Sequence, residues 1–328
     1  MTRARFALTA LGIVLSVVAI AALLNAVRAG DVAEHLRATR YGWILAGMGV
    51  TVFGYVLRAA RWQALLGPQA SIPLGRVFGP TVIGFLAINT LPARLGEFVR
   101  AYVLARLERL PTAGVLGTCA IERIFDLVFL ALFWCLALLM APFPEWFRIS
   151  GYVTFAIGGA GAVALWLLHA RRDAAGRFLE GGLVGRLPAP VRDGLRRVVP
   201  AFGEGLTSLS APGVLLRAAL WSAAMWLVNG SVFLLIGLAI GVHLPLWSAF
   251  LLSFVVCVAI LLPSSPGFVG VMEAACVVGL SLVGVDKASG LAFGLLYHLT
   301  MIAPLILLGS IFALRARLKP SDLTTEGS

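Results

Sequence analysis

The chain has 328 residues, of which 60% are hydrophobic and 12% charged, with a mean hydropathy of +0.97 and a formal net charge of +11. Soluble domains carry about twice that charged fraction, so a water-soluble globule is excluded and a polytopic membrane protein is indicated. The basic residues lie in loops between apolar stretches, with no aromatic-interleaved basic tract, which argues for lipid head groups and topology signals and against a nucleic-acid partner.

Apolar stretches of about 20 residues are long enough to span the hydrocarbon core. In chain order they predict full spans at 6–27, 41–66, 113–141, 150–169, 213–241 and 288–314. The first begins after Arg3 and Arg5 and is too long for a signal peptide, and Asn25-Ala26-Val27-Arg28 is a poor cleavage site. Two pairs of shorter apolar stretches remain, 77–91 with 95–110 and 246–262 with 266–283. Each pair is hinged on one pattern. Leu91-Pro92-x-x-x-Gly96 is followed at once by Glu97; Leu262-Pro263-Ser264-Ser265-Pro266-Gly267 is followed by Gly270 and Glu273. Matched helix breaks in two halves of a membrane chain are the best sequence pointer to a transport site.

Positive charge sets the orientation. Seven arginines in 170–212, Arg315, Arg317 and Lys319 at the C-terminus, and Arg3 and Arg5 at the N-terminus place both termini and the basic loop in the cytoplasm. The segment 28–40, with Arg28, Arg37 and Arg40, conflicts with this. Six spans close with both termini inside only if each broken pair enters and leaves on one side. The fold class expected is therefore an all-α polytopic membrane protein with six full spans and two broken or re-entrant helix pairs, about eight segments, open to an inverted-repeat relation; the alternative is an ordinary eight-to-ten-span bundle with Pro kinks and no re-entrant pieces. Residues 1–318 form one transmembrane domain and 319–328 a short polar tail, with no soluble catalytic domain behind the last span. The loop 170–212 reads as one or two amphipathic helices on the cytoplasmic leaflet.

Ionisable residues within spans are costly, and each is a functional-site candidate. Asn89, Arg94, Glu97 and Arg100 cluster at the first break, with Glu97 and Arg100 one helical turn apart. Free N–H groups at a helix start and the planar fork of Arg both favour phosphate; a buried ion pair holding a broken helix is the competing reading. Glu122, Arg123 and Asp126 follow in the third span, the two acids sharing a face and open to pairing with Arg58, Arg94 or Arg100. Arg58 and Arg61, next to Trp62, are adequately explained by the positive-inside rule and the aromatic belt, with a part in guiding lipid head groups as the lesser reading. At the second break, Pro263, Pro266, Gly267 and Gly270 free backbone carbonyls, and Ser264 and Ser265 add hydroxyls. Glu273 is the only acid in a long apolar region, read as a proton or cation carrier or as a partner for an arginine of the first hairpin. His298 and Asn229 read as packing residues. Cys119, Cys135, Cys257 and Cys276 read as small hydrophobes, and no metal-ligand, cofactor or enzyme motif is present.

At Asn89-x-x-Pro92-Ala93-Arg94-x-Gly96-Glu97-x-x-Arg100, Glu122-Arg123-x-x-Asp126 and Pro263-Ser264-Ser265-Pro266-Gly267-x-x-Gly270-x-x-Glu273, the chain resembles the flippase-like membrane domain of lysylphosphatidylglycerol synthases. The resemblance runs over roughly 40–314. It implies movement between leaflets of a lipid with an anionic or phosphate-bearing head group: a phospholipid, a polyprenyl-phosphate-linked lipid or a hopanoid. Synthase activity is not implied, because the aminoacyl-transfer domain of those relatives has no counterpart here. The expectation is a non-enzymatic transporter of a bacterial-type inner membrane, with lipids as partners, no cofactor and no nucleic acid. The alternatives are an intramembrane transferase on lipid-linked substrates, with Glu97 or Asp126 as base, and a scaffold for a lipid-synthesis enzyme.

Overall fold

The computed structural model describes residues 3–91, 95–171, 189–261 and 264–316, and every regular element among them is helical. Among the described residues, five helices are long and apolar enough to cross a bilayer: α3 (Tyr41–Leu66), α6 (Thr112–Met140), α7 (Glu145–Ala170), α9 (Pro212–Ala239) and α12 (Lys287–Arg315). The first expected span forms α1 (Arg3–Ala26). α7 starts five residues before the expected 150, directly after Pro144, with Glu145 in its first turn, where an acidic side chain is favoured. The segment 28–40, expected as a loop, contains α2 (Ala29–Ala38), whose Val32 packs on Leu23 of α1 and Leu291 of α12.

Both broken pairs are helical hairpins. α4 (Leu74–Thr90) and α5 (Gly96–Glu108) run antiparallel, so close that a Cβ on Gly96 would lie 2.2 Å from the Gly84 carbonyl oxygen. Their outer ends meet where Arg76 pairs with Glu108 at 3.5 Å. α10 (Ser248–Leu261) and α11 (Val271–Ser281) pair likewise, with Gly279 facing Leu252 and Val255. At a rise of about 1.5 Å per residue these limbs are about 16–26 Å long, shorter than a bilayer core. The second limb of the second hairpin starts five residues later than its expected start at 266. Residues Pro266–Phe268 form a 3-10 turn instead, and Gly267 (φ 76°), Phe268 (φ 59°) and Gly270 (φ 84°) adopt left-handed backbone that no α-helix accepts.

Following the chain fixes which end each hairpin enters from. α3 ends at Leu66 beside the start of α4; α9 ends at Ala239, whose carbonyl accepts the Arg40 N–H, and α10 begins beyond it at the same end. The first hairpin thus enters from the end holding Leu66, Thr112 and Arg315, and the second from the end holding Tyr41, Met140 and Lys287. Their tips meet: the 3-10 turn packs on α4, and a Cβ on Gly267 would lie 3.9 Å from the Asn89 carbonyl oxygen. α3 and α9 form the most extensive helix pair of the bundle. α7 buries little beyond Phe147, Gly151 and Gly158 and presents its remaining surface outward. From the basic loop, α8 (Ala189–Gly205) docks on the start of α6, where a Cβ on Gly117 would meet the Phe202 carbonyl oxygen at 2.6 Å; the rest of that loop, 172–188, lies outside the described residues.

Candidate functional site

The charges of the first hairpin close into a ring. Arg61 Nε donates to Glu122 Oε1 at 3.0 Å, and its Nη1 donates to Asp126 Oδ1 at 2.6 Å and to Ser222 Oγ at 3.3 Å. Glu122 Oε2 accepts from Arg100 Nη2. Arg100 Nη2 also lies 2.7 Å from Glu97 Oε2; the contact is electrostatic, since that oxygen lies off the direction of the N–H bonds. Arg123 completes the circuit, with Nη2 at 3.3 Å from Glu97 Oε1 and Nη1 at 3.1 Å from Asp126 Oδ2. Three guanidiniums and three carboxylates therefore alternate around one loop, and all six carboxylate oxygens face a guanidinium.

Four helices supply this ring: α3 brings Arg61, α5 brings Glu97 and Arg100, α6 brings Glu122, Arg123 and Asp126, and α9 brings Ser222. Glu122 and Asp126 reach one guanidinium because they stand four residues apart on one face of α6. Arg100 fits where it does because Gly84 opposite has no side chain; a Cβ there would lie 2.3 Å from that of Arg100. The Arg100 guanidinium stacks 4.7 Å from the Trp62 ring, and Trp62 Nε1 donates to Thr118 Oγ1 at 2.9 Å. Glu122 stands ten residues into α6, about 15 Å from its start. The ring is thus deep in the apolar span, where a charge without a partner is prohibitive.

Exposure divides the ring. Arg61 and Arg100 are 1% exposed and Glu122 is fully buried, whereas the Arg123 side chain is 45% exposed. Half-buried Arg58 stands beside it, 4.9 Å over the Phe85 ring and within electrostatic reach of Asp126 and Arg123. Among the described residues Arg58 has no carboxylate within 4 Å. Four guanidiniums against three carboxylates leave a positive rim at Arg58 and Arg123.

The expected residues divide accordingly. Glu97, Arg100, Glu122, Arg123 and Asp126 come together, with Arg100 consumed by its two acids rather than open to a ligand. Asn89 turns its amide onto the Phe85 carbonyl of its own helix at 2.9 Å. Arg94 and Pro92 lie outside the described residues, as does Pro263. Arg61, read from sequence as a topology signal, is instead the centre of the ring. A signal was present: Gly54, Leu57, Arg61 and Leu65 form one buried stripe at i+3/i+4 spacing, whereas Arg58 falls beside it.

The second break forms a separate site. Glu273, 4% exposed, accepts the Gly270 N–H at Oε2 (2.7 Å), and its Oε1 is hydrogen-bonded to His298 Nδ1 at 2.5 Å. The partner expected from the first hairpin, an arginine, is therefore replaced by a histidine of the last span, because the face of α12 carrying Gly294 and His298 packs directly on Glu273. Ser265 is held by α1: Ser16 Oγ donates to Ser265 Oγ at 2.9 Å and accepts the Ser265 N–H at 3.0 Å. The Ser264 backbone packs against Gly12.

A sequence model described as the lysylphosphatidylglycerol synthase TM region matches residues 9–309. The chain is 26% identical to a glycosyltransferase, AglD, of Haloferax volcanii over 342 aligned residues, covering 94% of this chain and 54% of that protein. It is 25% identical over 226 residues to UPF0104 membrane protein MJ1078 of Methanocaldococcus jannaschii, covering 68% of this chain and 92% of that one. The chain thus spans about half the length of the AglD glycosyltransferase. No solved structure matches.

Proposed function

The chain belongs to the lysylphosphatidylglycerol synthase transmembrane-region family, and from that premise we propose that it moves a lipid with an anionic or phosphate-bearing head group between leaflets. The observation that carries this reading is the excess guanidinium of Arg58, standing beside the exposed Arg123 of an otherwise neutral ring, next to two half-depth hairpins that enter from opposite ends and meet at their tips. A guanidinium fork matches a phosphate or carboxylate. Arg123 already directs both terminal nitrogens to Glu97 and Asp126, so the fork open to a ligand is that of Arg58, with Arg123 adding positive potential beside it. Irregular backbone at membrane depth is tolerated where protein or a wet cavity surrounds it, which is where a head group could cross. The end bearing Arg76, Arg109, Arg171 and Arg315 is assigned to the cytoplasm of an inner membrane by its positive charge.

The match to a protein named a glycosyltransferase supports a second reading, in which the chain acts on or presents a lipid-linked substrate for group transfer. Against Asp126 as a base in such chemistry, each of its oxygens already faces a guanidinium.

Mass spectrometry of lipids co-purifying with wild type and with Arg58→Gln/Arg123→Gln tests the proposal. One lipid class enriched over bulk membrane, and lost from a monodisperse double variant, is expected. Equal enrichment in both proteins, or none in either, overturns the rim as a head-group site. Release of a transfer product on adding a donor would favour the second reading.

A further inference from the structure

Glu273 and His298 are used by neither the ring nor its rim, yet a buried carboxylate in an apolar bundle requires a reason. Their surroundings narrow it. His298 is the one charged or chargeable side chain that reaches the Glu273 carboxylate among the described residues. The other titratable groups nearby are two thiols and a phenol: Cys276 on the same helix, Tyr297 on α12 and, beside Tyr297, Cys257 of α10. The part of α1 against the break contributes Ser16 and Ile20, and the only ionisable side chain of α4, Arg76, is at its far end.

We propose that Glu273 and His298 form a proton-binding site whose occupancy controls the second helix break. The pair takes one proton from hydronium, leaving water: an N–H bond forms at His298 Nε2 while the Nδ1 hydrogen passes to Glu273 Oε1, and both transfers reverse when the break recloses. The Glu273–His298 hydrogen bond survives both states, because the shared hydrogen lies on Nδ1 when the acid is ionised and on Oε1 when it is protonated. What changes is the other oxygen. Ionised, it makes a charge-assisted bond to the Gly270 N–H at the positive start of α11; protonated, it retains only a neutral acceptor there. The segment it restrains is strained: Phe268, a bulky residue, is held at φ 59° between two glycines at φ 76° and 84°. Strain held by one titratable contact is released when that contact weakens.

This inference rests on the transport reading only for its consequence, that a proton gradient drives the lipid step. Hydrogen exchange of the amides of residues 265–271 in nanodiscs, corrected for intrinsic pH dependence, reads the site without any transport assay. In wild type, protection at Gly270 should fall by about tenfold on acidification, the worth of one charge-assisted bond. Glu273→Gln should remove that pH dependence and leave the amide weakly protected at every pH. His298→Asn, which keeps a neutral donor, should move the midpoint. An identical pH profile in wild type and Glu273→Gln, or a flat profile in wild type, overturns the proposal. A pH-dependent break in a protein that moves no lipid in vesicles would leave the proton site standing and remove the transport reading alone.

Discussion

Replacing Arg61 by Met gives the sharpest test of the ring. Arg61 is buried to 1% exposure and is the only described guanidinium that joins Glu122 to Asp126. At an effective dielectric of about 20, unit charges about 4 Å apart attract by about 4 kcal/mol, and Arg61 makes two such contacts. Desolvation of the guanidinium offsets much of that sum. What remains after Arg61→Met is a ring with one negative charge too many and two carboxylate oxygens without a partner, and a buried pair broken from one side costs about 3–5 kcal/mol. Arg123→Gln removes the same formal charge at the 45% exposed edge of the ring and keeps an amide donor beside Glu97 and Asp126, so it should cost less than Arg61→Met. SDS titration in mixed micelles, followed by intrinsic Trp fluorescence, measures both. The double variant Arg61→Met/Glu122→Gln should recover part of the loss, since the excess charge is gone. If Arg61→Met costs no more than Arg123→Gln, the ring does not hold the four helices together.

Gly96→Ala places a methyl 2.2 Å from the Gly84 carbonyl oxygen, a backbone atom that cannot yield without parting α4 from α5, and should cost about 3 kcal/mol or more; Gly213→Ala, which meets nothing within 4 Å, should be neutral or slightly stabilising in the same titration. Asp286 caps α12 outside the span by accepting the Ala288 and Ser289 N–H groups at 2.9 and 3.0 Å. Hydrogen bonds from Ser289 hold its carboxyl below the ordinary value of 3.8, so its contribution is complete above that value and is lost as pH falls through the lower, folded one. Asp286→Ala should therefore cost about 1 kcal/mol at neutral pH and little in strong acid, as melting temperature against pH will read. In a Cys135→Ala background, cysteines at Arg76 and Arg109 should react with an impermeant thiol reagent from one face of the membrane, and those at Leu246 and Lys287 from the other. Opposite labelling of Arg76 and Arg109 would mean that the first pair crosses the bilayer.

The spans and both hairpins were legible because length and hydropathy act locally: twenty apolar residues suffice, and the Pro and Gly punctuation of each break stands in the sequence. Boundaries slipped where backbone conformation overrode composition, as at Gly267–Gly270, where left-handed residues delay α11 beyond an apolar stretch that continues unbroken. Ring membership was legible for pairs set by helical spacing, Glu97 with Arg100 and Glu122 with Asp126. The partners that close the circuit come from separate helices and depend on which faces meet. Arg61 was passed over because a cation near a helix end has a sufficient explanation in topology, and only its place on the buried stripe of Gly54, Leu57 and Leu65 argues otherwise. His298 was passed over for a similar reason, since a lone His on an apolar helix acquires meaning only when Glu273 is seen to face it.

The two breaks are alike in plan and different in chemistry. Each places an acid near the start of its second limb, and each site stands about 15 Å from the end at which its hairpin enters, counted along α6 for Glu122 and along α12 for His298. The first acid, Glu97, is bound by guanidiniums that carry their charge at any accessible pH, so its surroundings are permanently charged and hold their arrangement. The second, Glu273, is bound by a histidine and a backbone N–H, a set whose charge one proton can change. A device that captures an anion and then releases it needs both properties, a fixed charge to attract and a variable one to alter the path. Exchanging the partners should therefore abolish the second property before the first. If the proposed readings hold, His298→Arg should fix the charge at the second break and remove the pH dependence of Gly270 exchange, while lipid co-purification, which those readings assign to Arg58 and Arg123, should be unchanged.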